Sequence, residues 1–135
     1  MDVKQYSTEA IRFEMVKDDI LRSVWVGELQ ADDIVQMRKV GAEQRASLSE
    51  GPYLSLVDGR AGAGFGRDAR EQMNLLGKEK PWDYVALVGV PFSARVAINL
   101  ITRALTLLNM DIAEVRFFDA EDEGLTWLES KREPS

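Results

Sequence analysis

The chain has 135 residues, of which 45% are apolar and 30% charged, with a formal net charge of −6, an ordinary balance for one folded domain with a sizeable core. It contains no cysteine and no histidine, which excludes disulfides, thiol nucleophiles, thiolate and imidazole metal sites, and the commonest general base near neutral pH. The negative charge disfavours a non-specific grip on nucleic acid, no run approaches the roughly 18–20 apolar residues of a membrane span, and the opening MDVKQYSTEA lacks the apolar centre of a secretory signal, so the expected setting is cytoplasmic.

From Ala10 to Val16 the residues alternate, with Ile11, Phe13 and Met15 on one side and Arg12 and Glu14 on the other, which predicts a half-buried strand. Lys17-Asp18-Asp19 is a polar turn, and a second strand follows over Ile20–Leu29 through Leu21, Val24, Trp25 and Val26. So short a link implies an antiparallel hairpin, because parallel neighbours need a crossover. Asp32 and Asp33 suit the first turn of a helix. Its apolar face, Ile34, Met37, Gly41 and Leu48, extends to Ser49, where Glu50-Gly51-Pro52 stops it. Tyr53–Val57 is a short, nearly all-apolar strand of the kind covered on both faces.

Asp58 ends that run, and four glycines follow within eight residues, Gly59, Gly62, Gly64 and Gly66. The predicted reading is a flexible connection leading to a helix near Asp68, on which Ala69, Met73 and Leu76 share helical spacing and Gly77 is the close. After the solvated Lys78-Glu79-Lys80-Pro81 comes Tyr84–Val90, the most apolar strand and the expected central one. Pro91 or Ser93 begins the next helix, with Ser93 a fitting N-cap. Ala94, Ala97, Ile98, Ile101, Ala104, Leu105 and Leu108 make its buried stripe. Asn109-Met110-Asp111 breaks the pattern, Glu114–Phe118 is the last strand, and Phe117 and Phe118 point to opposite faces. Asp119 reads as the N-cap of a final helix, with Asp122 completing an imperfect capping box and Leu125, Trp127 and Leu128 as anchors. The acidic run Glu121-Asp122-Glu123 compensates that helix's dipole. No repeat divides the chain, so residues 1–135 read as one domain with a core over about 10–129 and flexible ends at 1–8 and 131–135.

The element order β-β-α-β-α-β-α-β-α predicts an α/β fold: a mostly parallel five-stranded sheet with an antiparallel N-terminal strand, four helices and right-handed crossovers. In such sheets binding sites lie beyond the carboxyl ends of the strands, which is where Leu54–Arg70, LSLVDGRAGAGFGRDAR, would fall.

This order, with the ending EVRFFDAEDEGLTWLES, the strand-turn YVALVGVPFSARV and the strand ILRSVWVGELQADD, resembles the STAS domain of bacterial anti-sigma-factor antagonists (SpoIIAA-like), roughly from Ile11 to Leu128. It is more closely similar to a broad group of small bacterial STAS-type proteins placed beside the CRAL-TRIO lipid carriers at superfamily level. The resemblance implies a regulatory module that works through a protein partner, and in the sporulation antagonists a serine at the start of the helix after the third strand is the phosphorylation switch. Here the matching stretch is Gly64-Phe65-Gly66-Arg67-Asp68, and no serine or threonine occurs from Gly59 to Leu76. Asp68 could imitate a fixed negative charge there, although an aspartate at a helix start needs no such account.

Three further readings stand beside plainer ones. The glycine run with Arg60, Arg67 and Arg70 could cradle an anion at a helix N-terminus, but it lacks the dinucleotide spacing and a Walker lysine, and a flexible connection is the favoured reading. Val96, Leu100 and Leu107 form an apolar strip beside the main stripe of their helix, either covered by a neighbour or exposed as a homodimer face continuing from Pro91-Phe92. Trp25, Trp82, Trp127, Phe92, Phe117 and Phe118 could line an apolar pocket, or simply fill the core. Glu28, Asp58, Asp83 and Tyr84 are acid–base groups without a spacing that specifies chemistry, and no metal or cofactor is expected. The sequence therefore predicts a non-enzymatic protein-interaction module whose surface comprises Asp58, Arg60, Phe65, Arg67, Asp68, Arg70 and Phe92. The alternative is a binder of a small apolar, lipid-like or anionic ligand.

Overall fold

The computed structural model describes Met1 to Arg132; of the flexible end expected at 131–135, residues 133–135 lie outside the described residues. Its strands are β1 (Ile11–Lys17), β2 (Ile20–Leu29), β3 (Leu54–Phe65), β4 (Tyr84–Val88) and β5 (Glu114–Phe118), and its helices α1 (Ala31–Ser47), α2 (Ala69–Glu79), α3 (Phe92–Leu107) and α4 (Glu121–Ser130). One sheet holds the strands in the order β1-β2-β3-β4-β5. The β1–β2 pair is antiparallel and the other three pairs are parallel. This is the predicted architecture, except that the middle strand is β3 rather than β4.

Strands laid down in sequential order with crossovers of one hand place every connecting helix on the same face. The packing follows that rule. Ile34, Met37 and Val40 of α1, Ala69 and Leu76 of α2, and Ala94 and Ile98 of α3 share a core with Leu21, Trp25, Val57 and Leu87. Only α4, which follows the last strand, covers the opposite face, where Trp127 and Leu128 pack on Ile20, Leu54, Leu56, Ala86 and Val88. Burial of each such anchor is worth roughly 1.5–3 kcal/mol. Alternation along β2 therefore decides each neighbour: Leu21, Ser23 and Trp25 face three helices, while Ile20, Arg22 and Val24 face α4 or solvent beside it.

Several local expectations are corrected. The glycine run is not a flexible connection, because β3 continues through it to Phe65, pairing Val26 with Ala61, Gly27 with Gly62 and Leu29 with Phe65. The ten-residue β2 supplies the partner, and a register shift between Val24 and Val26 takes up the extra residues. At Gly59 a side chain would run into Val90, so glycine allows β3 to pass the end of β4. Gly77 does not close α2; the helix continues to Glu79, and Lys80 caps it in the left-handed conformation. Gly77 is instead where α2 lies close against Leu105 of α3. The N-cap of α3 is Pro91, with Ser93 inside the first turn, and that of α4 is Ala120 rather than Asp119.

Within the first eight residues, most of them exposed, the side chains of Val3, Ser7 and Thr8 make contacts. Val3 is buried in the three-helix core, the Ser7 hydroxyl accepts from the Phe13 N–H at 3.0 Å, and the Thr8 hydroxyl donates to Asp33 at 2.7 Å. At the other end Arg132 makes two hydrogen bonds to Asp19, at 2.7 and 2.8 Å. Among the described residues no helix is long and apolar enough to cross a membrane.

Candidate functional site

Asp58 and Arg60 were expected on a binding surface, and the structure gives them a different task. Asp58 is only 7% exposed, on the α4 face of β3. Its carboxylate accepts from Arg60 Nε and Nη2 at 2.9 and 2.8 Å and from Arg22 Nη2 at 3.1 Å. Arg22 in turn donates to Glu121 at 2.6 Å and Glu14 at 2.9 Å, so one guanidinium ties β1, β3 and α4 together. The side-chain hydrogen bond from Arg60 is the main reason that the Asp58 carboxyl lies below the usual carboxylate range. Gly89, at φ +62, leaves room for the Arg60 stem, which a side chain there would displace. This is a closed ion network, and neither residue is left to hold an anion.

Asp68 is likewise engaged. Its Oδ1 accepts from the backbone N–H of Ala31 at 3.1 Å, so the residue preceding α2 satisfies a free donor at the start of α1. The same helix start is closed by Asp33, which accepts from the Gln30 N–H at 2.8 Å. A carboxylate placed this way is explained by the helix end it serves.

Phe65, Arg67 and Arg70 do come together, and with Leu100. They line one open groove of about 810 Å³ between the start of α2 and the outer side of α3, with Met73, Ser93 and Ala97 along its walls. Phe65 packs edge-on against Trp25 with ring centroids 5.6 Å apart, which fixes the floor to the core. Arg67 and Arg70 are exposed, and neither takes part in an ion pair among the described residues. The sequence named these residues but offered no means of telling the paired arginine, Arg60, from the unpaired two.

The apolar strip of α3 is exposed rather than covered: Phe92 is 80% and Leu100 57% accessible, and Val96, Leu107 and Leu108 are also exposed. Ala104 and Leu108, assigned to the buried stripe, lie outside it, while Leu105 between them is buried. The six aromatics do not line one pocket. Trp25, Trp82 and Phe117 belong to the three-helix face, Phe118 packs on Trp127 at 5.7 Å across the sheet, and Phe92 points outward.

No protein-family model and no curated protein matches the chain. Among solved structures it is similar to an uncharacterised protein of the DUF3478 family from Shewanella loihica PV-4, described as having a SpoIIAA-like fold. The match has 24% sequence identity and a TM-score of 0.58, and it covers 88% of this chain and 92% of that one. The fold is SpoIIAA-like. The likeness covers most of the chain, as the sequence resemblance implied.

Proposed function

We propose that the chain is a non-enzymatic regulatory module whose groove between α2 and α3 receives an acidic, amphipathic segment of a protein partner. The observation that carries this reading is the meeting of two unpaired arginines, Arg67 and Arg70, with Phe65 and Leu100 in one open groove. Val96 and Phe92 prolong its apolar side at steps of four residues along α3. Charge supports it: the charged lining of the groove is Arg67, Arg70 and Glu28, a net positive set, and α3 adds Arg95 and Arg103 with no acidic residue in a chain of net charge −6, which complements an acidic partner. The non-enzymatic part rests on the missing histidine and cysteine. It rests also on the carboxylates Asp58 and Glu79, both held below their ordinary range by arginine hydrogen bonds, the direction away from acid–base work near neutral pH.

A photo-crosslinking residue at Ala97, inside the groove, tests this against the same residue at Arg12, exposed on β1. A protein crosslinked from Ala97 alone, and lost on Arg67→Glu and on Leu100→Asp with thermal stability unchanged, is the expected outcome. Equal crosslinking from both positions would remove the groove from consideration. Crosslinking to a second copy, with light scattering giving a dimer that Leu100→Asp dissociates, would make the partner the chain itself and overturn the reading of a foreign acidic segment.

A further inference from the structure

Behind the groove, between the sheet and α1, α2 and α3, lies a cavity of about 110 Å³, and Met73 and Ile101 form walls of both. Its lining is almost wholly apolar, with Met37, Val57, Leu76, Leu87, Ile98 and Leu105 prominent. Three buried side-chain polar atoms have no hydrogen-bond partner among the described residues, Ser23 Oγ, Ser55 Oγ and Trp25 Nε1, and all three residues line this one cavity. They are 1%, 1% and 3% exposed. Ser23 and Trp25 alternate on the same side of β2, and Ser55 is paired in register with Leu21 on the adjacent β3, so the three groups share the sheet floor.

Folded proteins satisfy the large majority of buried polar atoms, and this fold does so on the same wall. Trp82, which also borders the cavity, donates its indole N–H to Gln44 at 2.7 Å. Three unpartnered groups on residues that line one apolar cavity therefore have a common explanation in a guest that supplies the missing partner. We propose that this cavity binds a compact, neutral, apolar molecule with one oxygen acceptor, held by the Trp25 indole N–H and the hydroxyls of Ser23 and Ser55.

Each attribute has its own ground. An indole N–H only donates, so the guest must accept, while the serine hydroxyls adapt to either role. The guest is neutral because the only charged lining residue, Lys80, is held at its Nζ by Asp111 at 2.7 Å, and a buried carboxylate without a partner is strongly disfavoured. It is compact because the cavity of about 110 Å³ is smaller than the roughly 150 Å³ that accommodates benzene, which leaves room for a short branched chain and not for a six-membered ring or a fatty acyl tail. Lys80, Thr102, Ile112 and Ala113, all half-exposed lining residues, mark the side where the cavity meets solvent, beyond the end of α2.

The intact chain can be titrated with 2-propanol and with propane while the indole N–H resonances of Trp25, Trp82 and Trp127 are followed by NMR. 2-Propanol is expected to shift Trp25 saturably and leave Trp127, on the opposite face, unmoved; propane should bind about tenfold more weakly for want of the head-group hydrogen bonds. Ser23→Ala and Ser55→Ala should each weaken 2-propanol about 3–10-fold without changing the affinity for propane. A Trp25 resonance that stays unmoved across the alcohol titration would mean that water alone satisfies these groups. Equal affinities for the alcohol and the hydrocarbon, or serine variants that bind 2-propanol as the wild type does, would also overturn the proposal. None of these outcomes depends on Arg67, Arg70 or Leu100.

Discussion

Arg22 and Ser23 are adjacent in β2, and Ser55 and Asp58 stand in the same β3, yet the pleat sends them to opposite faces where polar groups are treated in opposite ways. On the α4 face, Arg22, Asp58, Arg60, Glu14 and Glu121 form a network in which each charge meets an opposite one. On the three-helix face, the side-chain polar atoms of Ser23, Ser55 and Trp25 have no partner among the described residues, although these residues are more deeply buried than the members of the network. The shared strands rule out general looseness as the cause. A saturated polar cluster is a tie between elements; an unsaturated one beside a cavity is capacity for something else. The two clusters should therefore answer to mutation with opposite signs.

The largest effect is expected at the tie. Arg22→Met keeps the side-chain stem but removes the charge that joins β1, β3 and α4. Glu14 is exposed and its pair is worth little. Asp58 is the costly loss, since its side chain is 10% exposed and keeps only Arg60 as a charged partner. Breaking a buried pair costs about 3–5 kcal/mol, and the remaining partner reduces this to about 2–3 kcal/mol of unfolding free energy, read from the urea midpoint. A change below about 0.5 kcal/mol would place the network with ordinary surface pairs and abolish the contrast between the faces.

A pH series gives a smaller effect of defined sign. The Asp58 carboxyl is lowered in the folded state, chiefly by the Arg60 side-chain hydrogen bond. A group lowered on folding contributes stability that is fully present above its unfolded pKa, about 3.9, and that is lost as pH falls through the folded value. Glu79, lowered chiefly by its hydrogen bond from Arg38, adds to the same acid limb. The wild type should hold its urea midpoint from neutrality to about pH 5 and lose it below about pH 4, and Asp58→Asn should lose less over that window. The cavity cluster contains no titrating carboxylate, so Ser23→Ala should track the wild type throughout. A serine variant with its own acid transition would join the two clusters electrostatically and blur the comparison.

What the sequence made legible follows the same division. Strand and helix positions, the antiparallel start and the SpoIIAA-like order came from periodicities that burial enforces over many residues at once. The glycine run misled because glycine is the usual mark of a loop. Here its lack of a side chain serves close passage at Gly59 beside Val90, and the length of β2 was the signal that β3 had to run as far as Phe65. Asp58 seemed available because a charge ending an apolar run usually faces water. That Arg22 lies diagonally beside it is a matter of register, with Arg22 paired to Leu56 and Val24 to Asp58, and local sequence does not contain register. Ser23 and Ser55 did leave a trace, each being a polar residue at an inward position of an alternating strand. Whether such a serine finds a partner depends on what three helices bring over it, which no local pattern records.

The smallest effect is the most discriminating, because its sign is unusual. Most buried substitutions destabilise, by about 1 kcal/mol on average, and Gln44 on this same face should be typical. Its amide donates to Leu54 and Asp19 carbonyls at 3.1 and 3.2 Å and accepts from Trp82, so Gln44→Leu strands an indole N–H and should cost about 1–3 kcal/mol. Ser23→Ala and Ser55→Ala remove only an oxygen that already lacks a partner, exchanging a desolvated hydroxyl for hydrogen beside a cavity. With no guest present each should be neutral or stabilising by up to about 1 kcal/mol, and the double variant should be close to additive unless the two hydroxyls share one guest or one water. Loss of more than about 1 kcal/mol in either single variant would show that the oxygen is bonded in the folded protein after all. In that case the three-helix face would be as fully satisfied as the α4 face, and the polar floor of the cavity would be part of the scaffold.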